Sequence, residues 1–187
     1  MAKNKSIIIC LGFLIALFSS ISSNAVTVSN LSKAEIRNKV KQTCEQQIGV
    51  RELTGNNDGK QVEAYLNAVK LHKGNAWCAA FISWVFQQCE VINPKSGWCP
   101  NWFPADKVIY RIDKPAINQE TPQPGDVFGI YFPSKKRIAH VGFIIQWTDK
   151  YAVTIEGNTN EAGSREGDGV YKKKRLKRQI YAVSCWI

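Results

Sequence analysis

The chain has 187 residues and a mass of 21.0 kDa, which fits one ordinary domain plus a short extra segment and leaves little room for two full domains. Hydrophobic residues make up 44% of the sequence and aromatic residues 11%, so a core can be buried and wholesale disorder is excluded. The formal charge of +10 indicates attraction to polyanions without naming one.

The first 25 residues have the layout of a secretory signal peptide. Lys3 and Lys5 precede an apolar run over 7–18, and a small, polar stretch ends at Ala25. The apolar run is shorter than the roughly 20 residues that span a bilayer. We therefore expect cleavage after Ala25, a single domain over 26–187 without a stable membrane span, and a secreted, periplasmic or cell-envelope location. A retained N-terminal anchor is the alternative.

Five cysteines follow the predicted leader, and an odd number leaves at least one thiol unpaired in an oxidising compartment. A disulfide between Cys89 and Cys99 would close a short loop, although spacing does not decide the pairing. The unpaired thiol is either a working nucleophile or one of several reduced core residues. The five are Cys44, Cys78, Cys89, Cys99 and Cys185.

Three helices are predicted in the first half of the domain. A capping box at Ser32 and Glu35 opens the first, and an apolar residue at every fourth position continues to Ile48. A second apolar pattern covers 62–69, and a longer apolar segment covers 77–89. The third segment is long enough to be a buried helix.

The second half of the domain is predicted to form strands. β-Branched and aromatic residues dominate runs of strand length, and the break at 148–150 favours an antiparallel hairpin. Helices followed by strands, without strand–helix alternation, favour an α+β domain with N-terminal helices packed on an antiparallel sheet. The predicted strands are 127–132, 138–147, 151–155, 170–171 and 179–186.

Cys78 is the candidate nucleophile because it opens the third predicted helix, where the helix dipole and unpaired backbone N–H groups favour a thiolate. A cysteine nucleophile usually needs an adjacent base, most often histidine. His72 lies in a charged loop without an obvious partner, whereas His140 lies inside a predicted strand. His140 is therefore the better candidate for the base.

The strand pattern also supplies candidates for a group that orients the base. Residues of one strand face alternate, so His140 and Gly142 share a face, and the glycine leaves open space beside the ring. A three-residue turn at 148–150 places Asn158 opposite His140 and Glu156 at a diagonal position, about 7–8 Å away at the backbone. Either residue can orient the imidazole, whereas a two-residue turn would break this geometry.

Four segments, taken in order, resemble the CHAP family of papain-like amidohydrolases, which are relatives of the NlpC/P60 peptidases. The segments are 74–84, 124–127, 139–142 and 155–160. The resemblance implies a papain-like fold and an enzyme that cleaves peptidoglycan amide bonds through a thioester, as an N-acetylmuramoyl-L-alanine amidase or a stem or cross-bridge endopeptidase. It implies Cys78 as nucleophile, His140 as general base and later acid, and Glu156 as the residue that orients the imidazole. Asn158 corresponds to an additional polar residue.

Residues near the nucleophile are candidate substrate contacts. The backbone N–H of Cys78 is an expected oxyanion donor, and Asn75 is a candidate second donor, with a turn-capping role as its alternative. Trp77, Trp98 and Trp102 are candidates for lining a sugar or peptide groove, with packing in the core as their alternative.

Other sequence features limit the partners. The turn at 55–59 holds one carboxylate, Asp58, whereas calcium takes six to eight oxygens, so no metal and no cofactor is expected. The basic segment from Lys172 to Arg178 is either a solvated edge strand or a surface for anionic envelope polymers. We expect a monomer that acts on peptidoglycan and binds no nucleic acid, because the sequence shows no reader motif.

Two other functions fit the same sequence. A secreted cysteine peptidase acting on protein would use the same residues. A catalytically inactive wall-binding module would keep the fold and bind through the basic segment. A test of hydrolysis separates these alternatives from the peptidoglycan hydrolase.

Overall fold

The structure is a computed structural model that describes residues 31–114, 119–162 and 167–187. The predicted leader and its cleavage site after Ala25 lie outside these ranges. Within them, three α-helices precede a six-stranded antiparallel sheet, so the predicted α+β class is confirmed. No helix in these ranges is long and apolar enough to cross a lipid bilayer.

The three helices occur where the apolar patterns predict them. They are α1 at Lys33–Glu45, α2 at Lys60–Asn67 and α3 at Cys78–Gln88. The capping box is present, because the Ser32 hydroxyl accepts from the Glu35 backbone N–H and the Glu35 carboxylate accepts from the Ser32 backbone N–H at 2.7 Å. The start of α1 is therefore set by local sequence.

The sheet has the strand order β1-β6-β2-β3-β4-β5. Its first strand was not predicted, since its four residues are all half-buried and show no alternation. The strand β4 extends four residues beyond the predicted end, and β5, at the sheet edge, contains most of the basic segment. The strands are β1 Val108–Arg111, β2 Val127–Phe132, β3 Arg137–Trp147, β4 Tyr151–Thr159, β5 Gly169–Leu176 and β6 Ala182–Ser184.

The register between β3 and β4 results from two irregularities that compensate each other. Near the turn, Trp147 pairs with Ala152, one residue away from the predicted register. A β-bulge or similar irregularity beyond Ile144 shifts the pairing back, so that Phe143 lies opposite Ile155, as predicted. The predicted register is therefore present on the side of the bulge that leads to His140, and residues 148–150 separate the two strands as predicted.

The helices pack on one face of the sheet. Phe143 of β3 meets Phe81 and Phe86 of α3 edge-on, with ring centroids 6.1 and 5.2 Å apart. A smaller apolar cluster around Phe128 and Ile144 covers the opposite face. The contact between α3 and β3 holds the candidate nucleophile, at the start of α3, close to the strand that carries the candidate base.

Candidate active site

Cys78 is the first residue of α3 and is only 4% exposed. The residue before it, Trp77, has no capping side chain, and its backbone N–H donates to Oδ1 of Asn158 at 3.0 Å. The N–H groups of the first helical turn have no partner within the helix, and the dipole makes this end positive. Both effects favour a negative sulfur at this position.

A second thiol lies beside the first. Sγ of Cys99, at the start of the 3₁₀ turn Cys99–Trp102, is 3.6 Å from Sγ of Cys78. A hydrogen bond from Cys99 has the largest effect on the pKa of Cys78 and, with contributions from His140, lowers that pKa well below its ordinary value despite burial. The same contact, together with burial, raises the pKa of Cys99 well above its ordinary value. One thiol therefore ionises readily while the other stays protonated and acts as a donor.

His140 lies on β3 and is 1% exposed. Its Nε2 is 2.8 Å from Oε2 of Glu156, and its Nδ1 has no hydrogen-bond partner in the described part of the chain. Burial lowers the pKa of His140, but interactions with Cys78 and Glu156 outweigh it and raise this pKa to about 9. These shifts favour a thiolate and an imidazolium over the neutral pair, and Nδ1 is the nitrogen left to serve the sulfur.

Glu156 on β4 is fully buried and fully hydrogen-bonded. Its Oε1 accepts from the Thr154 hydroxyl at 2.6 Å and from Nε of Arg175 at 2.8 Å, and its Oε2 accepts from Nη2 of Arg175 at 2.5 Å. Burial raises the pKa of Glu156, but the hydrogen bonds from Arg175 and His140 outweigh this effect and lower the pKa to about 2. The carboxylate is therefore ionised and fixed in one orientation.

Gly142 provides the space in which the carboxylate lies. A Cβ at this position would come within 2.8 Å of Cγ of Glu156 and 2.6 Å of the Phe128 ring. Any larger residue would therefore push Glu156 away from His140. This agrees with the prediction that the glycine leaves room beside the imidazole.

Arg175 is the site residue that the sequence interpretation missed. The prediction that the whole basic segment from Lys172 to Arg178 faces solvent or anionic polymers is wrong for Arg175, because this residue is only 8% exposed and its side chain turns inward. Lys172 and Lys174 remain exposed, so alternate residues of β5 face opposite ways. Arginine is the cation that best forms a buried two-point contact with a carboxylate. An arginine in this lysine-rich segment is therefore the sequence feature that could have indicated an inward-facing side chain.

Among the described residues, Asn158 forms its hydrogen bonds with groups other than the imidazole. Its side chain is 2% exposed and accepts from the Trp77 backbone N–H, while its Nδ2 donates to Oδ1 of Asn57 at 3.1 Å and to the Gly167 carbonyl at 3.0 Å. Of the two orienting candidates, Glu156 is the one beside the ring. Asn158 instead braces the backbone immediately before α3.

Two of the three tryptophans predicted to line a groove do not do so. Trp77 and Trp102 have no exposed surface. Trp77 stacks on Tyr65 at 5.6 Å and donates from Nε1 to Glu52 at 2.8 Å, while Trp102 stacks on Phe86 at 5.8 Å. Both rings complete the core, because it is large enough to enclose them and supplies Trp77 with an acceptor.

The third tryptophan lines a groove beside Cys78. Trp98 is half-exposed and contributes to a cavity of about 480 Å³ that also includes Asn75. The guanidinium of Arg137 lies 3.8 Å from the centre of the Trp98 ring. Nδ2 of Asn75 donates to the carbonyl of His72 at 2.9 Å, which is the turn-bracing alternative for this residue.

The remaining predicted features are structural. All five cysteines in the described ranges are free thiols, and the suggested Cys89–Cys99 disulfide is not formed, because Cys99 lies against Cys78 and Cys89 lies 3.4 Å from Oγ1 of Thr43. The Asp58 carboxylate accepts from the Thr54 backbone, as in a plain turn. No group of three or more potential metal ligands occurs in the part of the chain that the structure describes.

Comparison with known families supports the same class of site. Residues 70–158 match the family described as the CHAP domain. The match covers 89 of the 187 residues and is consistent with a CHAP-domain protein of the papain-like superfamily, as the sequence motifs predicted. CHAP domains are in general amidohydrolases or peptidases, and the family indicates a peptidoglycan-hydrolase or amidase type of function. No curated protein and no solved structure matches the chain. The matched segment includes Cys78, His140 and Glu156 but ends before Arg175.

Proposed function

We propose that the protein is an exported cysteine amidohydrolase that cleaves an amide bond of bacterial peptidoglycan. The bond is either the one between muramic acid and L-alanine or a peptide bond of the stem or cross-bridge. The observation that supports this most directly is that Cys78, at the start of α3, and His140, which contacts Glu156, are both buried and close enough to shift each other's pKa. Nucleophile, base and orienting group are the three parts that acyl transfer through a cysteine requires.

In the first step, the thiolate of Cys78 attacks the amide carbonyl carbon. The new carbon–sulfur bond leaves negative charge on the carbonyl oxygen, and the backbone N–H groups at the start of α3, which have no partner within the helix, can donate to it. His140 enters this step as an imidazolium, because its pKa is raised to about 9. It gives its proton to the leaving amine, and a thioester remains.

In the second step, water resolves the thioester. The now neutral His140 takes a proton from water as the oxygen attacks the carbonyl carbon, and the carbon–sulfur bond breaks to restore the thiolate. Glu156 keeps its charge throughout, because its pKa is lowered to about 2. Its contact with Nε2 orients the ring so that Nδ1 carries the proton to and from the reaction.

Two features outside the site support a substrate in the cell envelope. The predicted leader would export the chain to the compartment that contains peptidoglycan. Lys172 and Lys174 project from the exposed face of the edge strand, so they can interact with anionic envelope polymers without disturbing the site. We propose that this lysine pair adds to wall affinity and that the enzyme acts as a monomer.

The test is to incubate the purified protein with isolated peptidoglycan sacculi and to analyse the soluble products by mass spectrometry. We expect the unmodified protein to release fragments and the Cys78→Ser variant to release none. Cys89→Ser is the matched control, because this buried thiol lies away from the site, and it should retain activity. The new amine end of each fragment identifies the bond that is cut.

Two outcomes would contradict the proposal. If no fragments appear and both proteins sediment with the sacculi, the inactive wall-binding module becomes the better description. If the protein degrades denatured protein substrates in a Cys78-dependent manner but leaves sacculi intact, it is a secreted cysteine peptidase. Equal release by the Cys78→Ser variant would overturn the mechanism itself.

A further inference from the structure

The groove beside Cys78 carries charge of one sign. Lys95 and Arg137 line the cavity of about 480 Å³, and none of the described residues that line it is acidic. Cations gathered at one wall of a cleft attract and orient anionic groups. The groove therefore favours anionic groups over neutral groups of the same shape.

Arg137 is held in place for such a contact. Its guanidinium stacks over Trp98 at 3.8 Å, and Nη1 donates to the carbonyl of Ile138 at 3.1 Å. No carboxylate of the described residues forms an ion pair with it. A guanidinium has five N–H donors in a planar fork, so several remain available for an acceptor in the groove.

A neighbouring cavity has the opposite sign. It measures about 560 Å³, meets the first cavity at Ala76, and is lined by the acids Glu52 and Asp168 without a described cation. The sign of the charge thus reverses between two cavities that meet at Ala76, two residues before the nucleophile. A substrate with an anionic group on one side of the scissile bond fits this surface in one direction only.

We propose that Arg137, supported by Trp98, binds a carboxylate of the substrate and so sets the direction in which the peptide lies across Cys78. This inference rests on the proposed function, because it specifies the substrate of the same site. Peptide stems with free carboxylates are the substrate class, and stems whose carboxylates are amidated are discriminated against. Arg137 is then a specificity-determining residue rather than a participant in bond cleavage.

The test measures binding, so that it does not depend on turnover. In the Cys78→Ala background, calorimetry compares a muramoyl tetrapeptide with free carboxylates and the same compound with its carboxylates amidated. We expect the free acid to bind about ten-fold or more tightly, as charge-assisted hydrogen bonds allow. Adding Arg137→Gln should remove that preference, whereas the exposed control Lys135→Gln should keep it.

The outcomes separate this inference from the proposed function. Equal binding of acid and amide, binding of neither, or a preference that survives Arg137→Gln, would overturn the role of Arg137. Hydrolysis of sacculi by the unmodified protein would still support the amidohydrolase. A preference for the acid that Arg137→Gln removes, with no hydrolysis of sacculi by the unmodified protein, would keep the binding site and overturn the enzyme.

A separate observation concerns the two thiols. The sulfurs of Cys78 and Cys99 are 3.6 Å apart, and both residues line the groove, so a small solute in the groove can reach them. A disulfide requires a sulfur–sulfur distance of about 2.05 Å, so a movement of roughly 1.5 Å, within the range of a side-chain adjustment, would join them. The readily ionised sulfur of Cys78 is also the more reactive of the two toward oxidants.

We infer that a peroxide converts this pair into a Cys78–Cys99 disulfide that blocks the nucleophile reversibly. The Cys78 thiolate attacks one peroxide oxygen, the oxygen–oxygen bond breaks, and a sulfenic acid forms as hydroxide leaves and is protonated. The Cys99 sulfur then attacks the sulfenic sulfur, the sulfur–oxygen bond breaks, and the released hydroxide takes the Cys99 proton to give water. Two thiols and one hydrogen peroxide thus give one disulfide and two waters.

The test is to treat the protein with hydrogen peroxide and to map its peptides by mass spectrometry. We expect a Cys78–Cys99 linked peptide, an intact mass lower by two hydrogens, and restoration of both free thiols by dithiothreitol. Cys99→Ser lacks the resolving thiol, so its Cys78 should gain oxygen atoms instead and progress to the sulfinic acid, which dithiothreitol does not reverse. The control Cys89→Ser should form the same disulfide as the unmodified protein.

This readout does not require the protein to be active. Absence of the linked peptide after peroxide treatment, or identical oxidation products in the unmodified protein and in Cys99→Ser, would overturn the inference. If hydrolysis of sacculi is observed, peroxide should abolish it and dithiothreitol should restore it. Activity that persists while the disulfide is present would overturn the claim that the disulfide blocks the nucleophile.

Discussion

The sheet side and the helix side of the site differ in how completely their polar groups are satisfied. On the sheet side, Glu156 receives hydrogen bonds from His140, Thr154 and Arg175 on three adjacent strands. On the helix side, the sulfur of Cys78 has a second thiol as its neighbour, and Nδ1 of His140 has no hydrogen-bond partner in the described part of the chain. In the proposed mechanism, the hydrogen bonds on the sheet side orient the ring, and the groups on the helix side react.

This difference has a physical reason. A buried carboxylate is destabilising by several kcal/mol unless it is paired and hydrogen-bonded, so the sheet supplies a partner for each of its oxygens. In the proposed mechanism, the donors at the start of α3 and the free imidazole nitrogen are instead left for charges that develop only during the reaction. Substitutions on the two sides should therefore separate catalytic effects from effects on stability.

The largest effect is expected from His140→Gln. Removing the group that shuttles the proton should lower kcat/KM by about 10⁴-fold or more, because nucleophile and base act as a unit. Glu156 keeps its bonds to Arg175 and Thr154, so the midpoint of thermal unfolding should change little. Steady-state kinetics and thermal denaturation measure the two quantities, and a kinetic loss of less than about ten-fold would place the base elsewhere.

The second-largest effect is expected from Arg175→Met, which removes the cation that pairs with Glu156 on the sheet side of the site. The buried charge of Glu156 loses a two-point partner, so the free energy of unfolding should fall by about 3–5 kcal/mol. Urea denaturation measures this change. Lys174→Met is the matched control, since the neighbouring side chain is exposed, and it should leave stability nearly unchanged. Equal stability of the two variants would mean that the buried pair does not support the fold.

A smaller effect, visible in the pH profile, is expected from Glu156→Gln. His140 must be protonated to give its proton to the leaving amine, and its pKa is raised to about 9, so kcat/KM of the unmodified enzyme should fall as the pH rises through about 9. The neutral amide no longer stabilises the imidazolium, so this fall should occur at lower pH, with kcat reduced about 10–100-fold. An unchanged alkaline limb would show that Glu156 does not act through His140.

The smallest effect is expected from the double variant Lys172→Ser and Lys174→Ser. Both side chains lie on the exposed face of β5, away from the buried pair, so hydrolysis of soluble fragments should be unchanged. Sedimentation with sacculi should weaken about two- to three-fold at low salt, and the difference should vanish at high salt because surface charges are screened. Equal sedimentation at low salt would leave these lysines as solvated edge residues that prevent strand pairing.

Local sequence was sufficient for several parts of this protein. The capping box at Ser32, the apolar segment that becomes α3, and the strand that carries His140 are each specified by residues close together in the chain. The position of Cys78 at a helix start follows from the same local pattern. These features could be predicted because capping, helical periodicity and strand alternation act over a few residues.

The sequence by itself thus determined the fold class and the candidate nucleophile and base, whereas the tertiary structure decided how they are supported. The site register depends on an irregularity in β3 that offsets a one-residue shift of the pairing near the turn, and no local pattern marks it. Arg175 lies in a run of lysines, and only its place in the sheet turns it toward Glu156. Cys99 lies beside Cys78 because the 3₁₀ turn that begins at Cys99, 21 residues further along the chain, packs against the start of α3. Each contact joins residues far apart in the chain, so its geometry is set by packing of the whole domain rather than by local propensity.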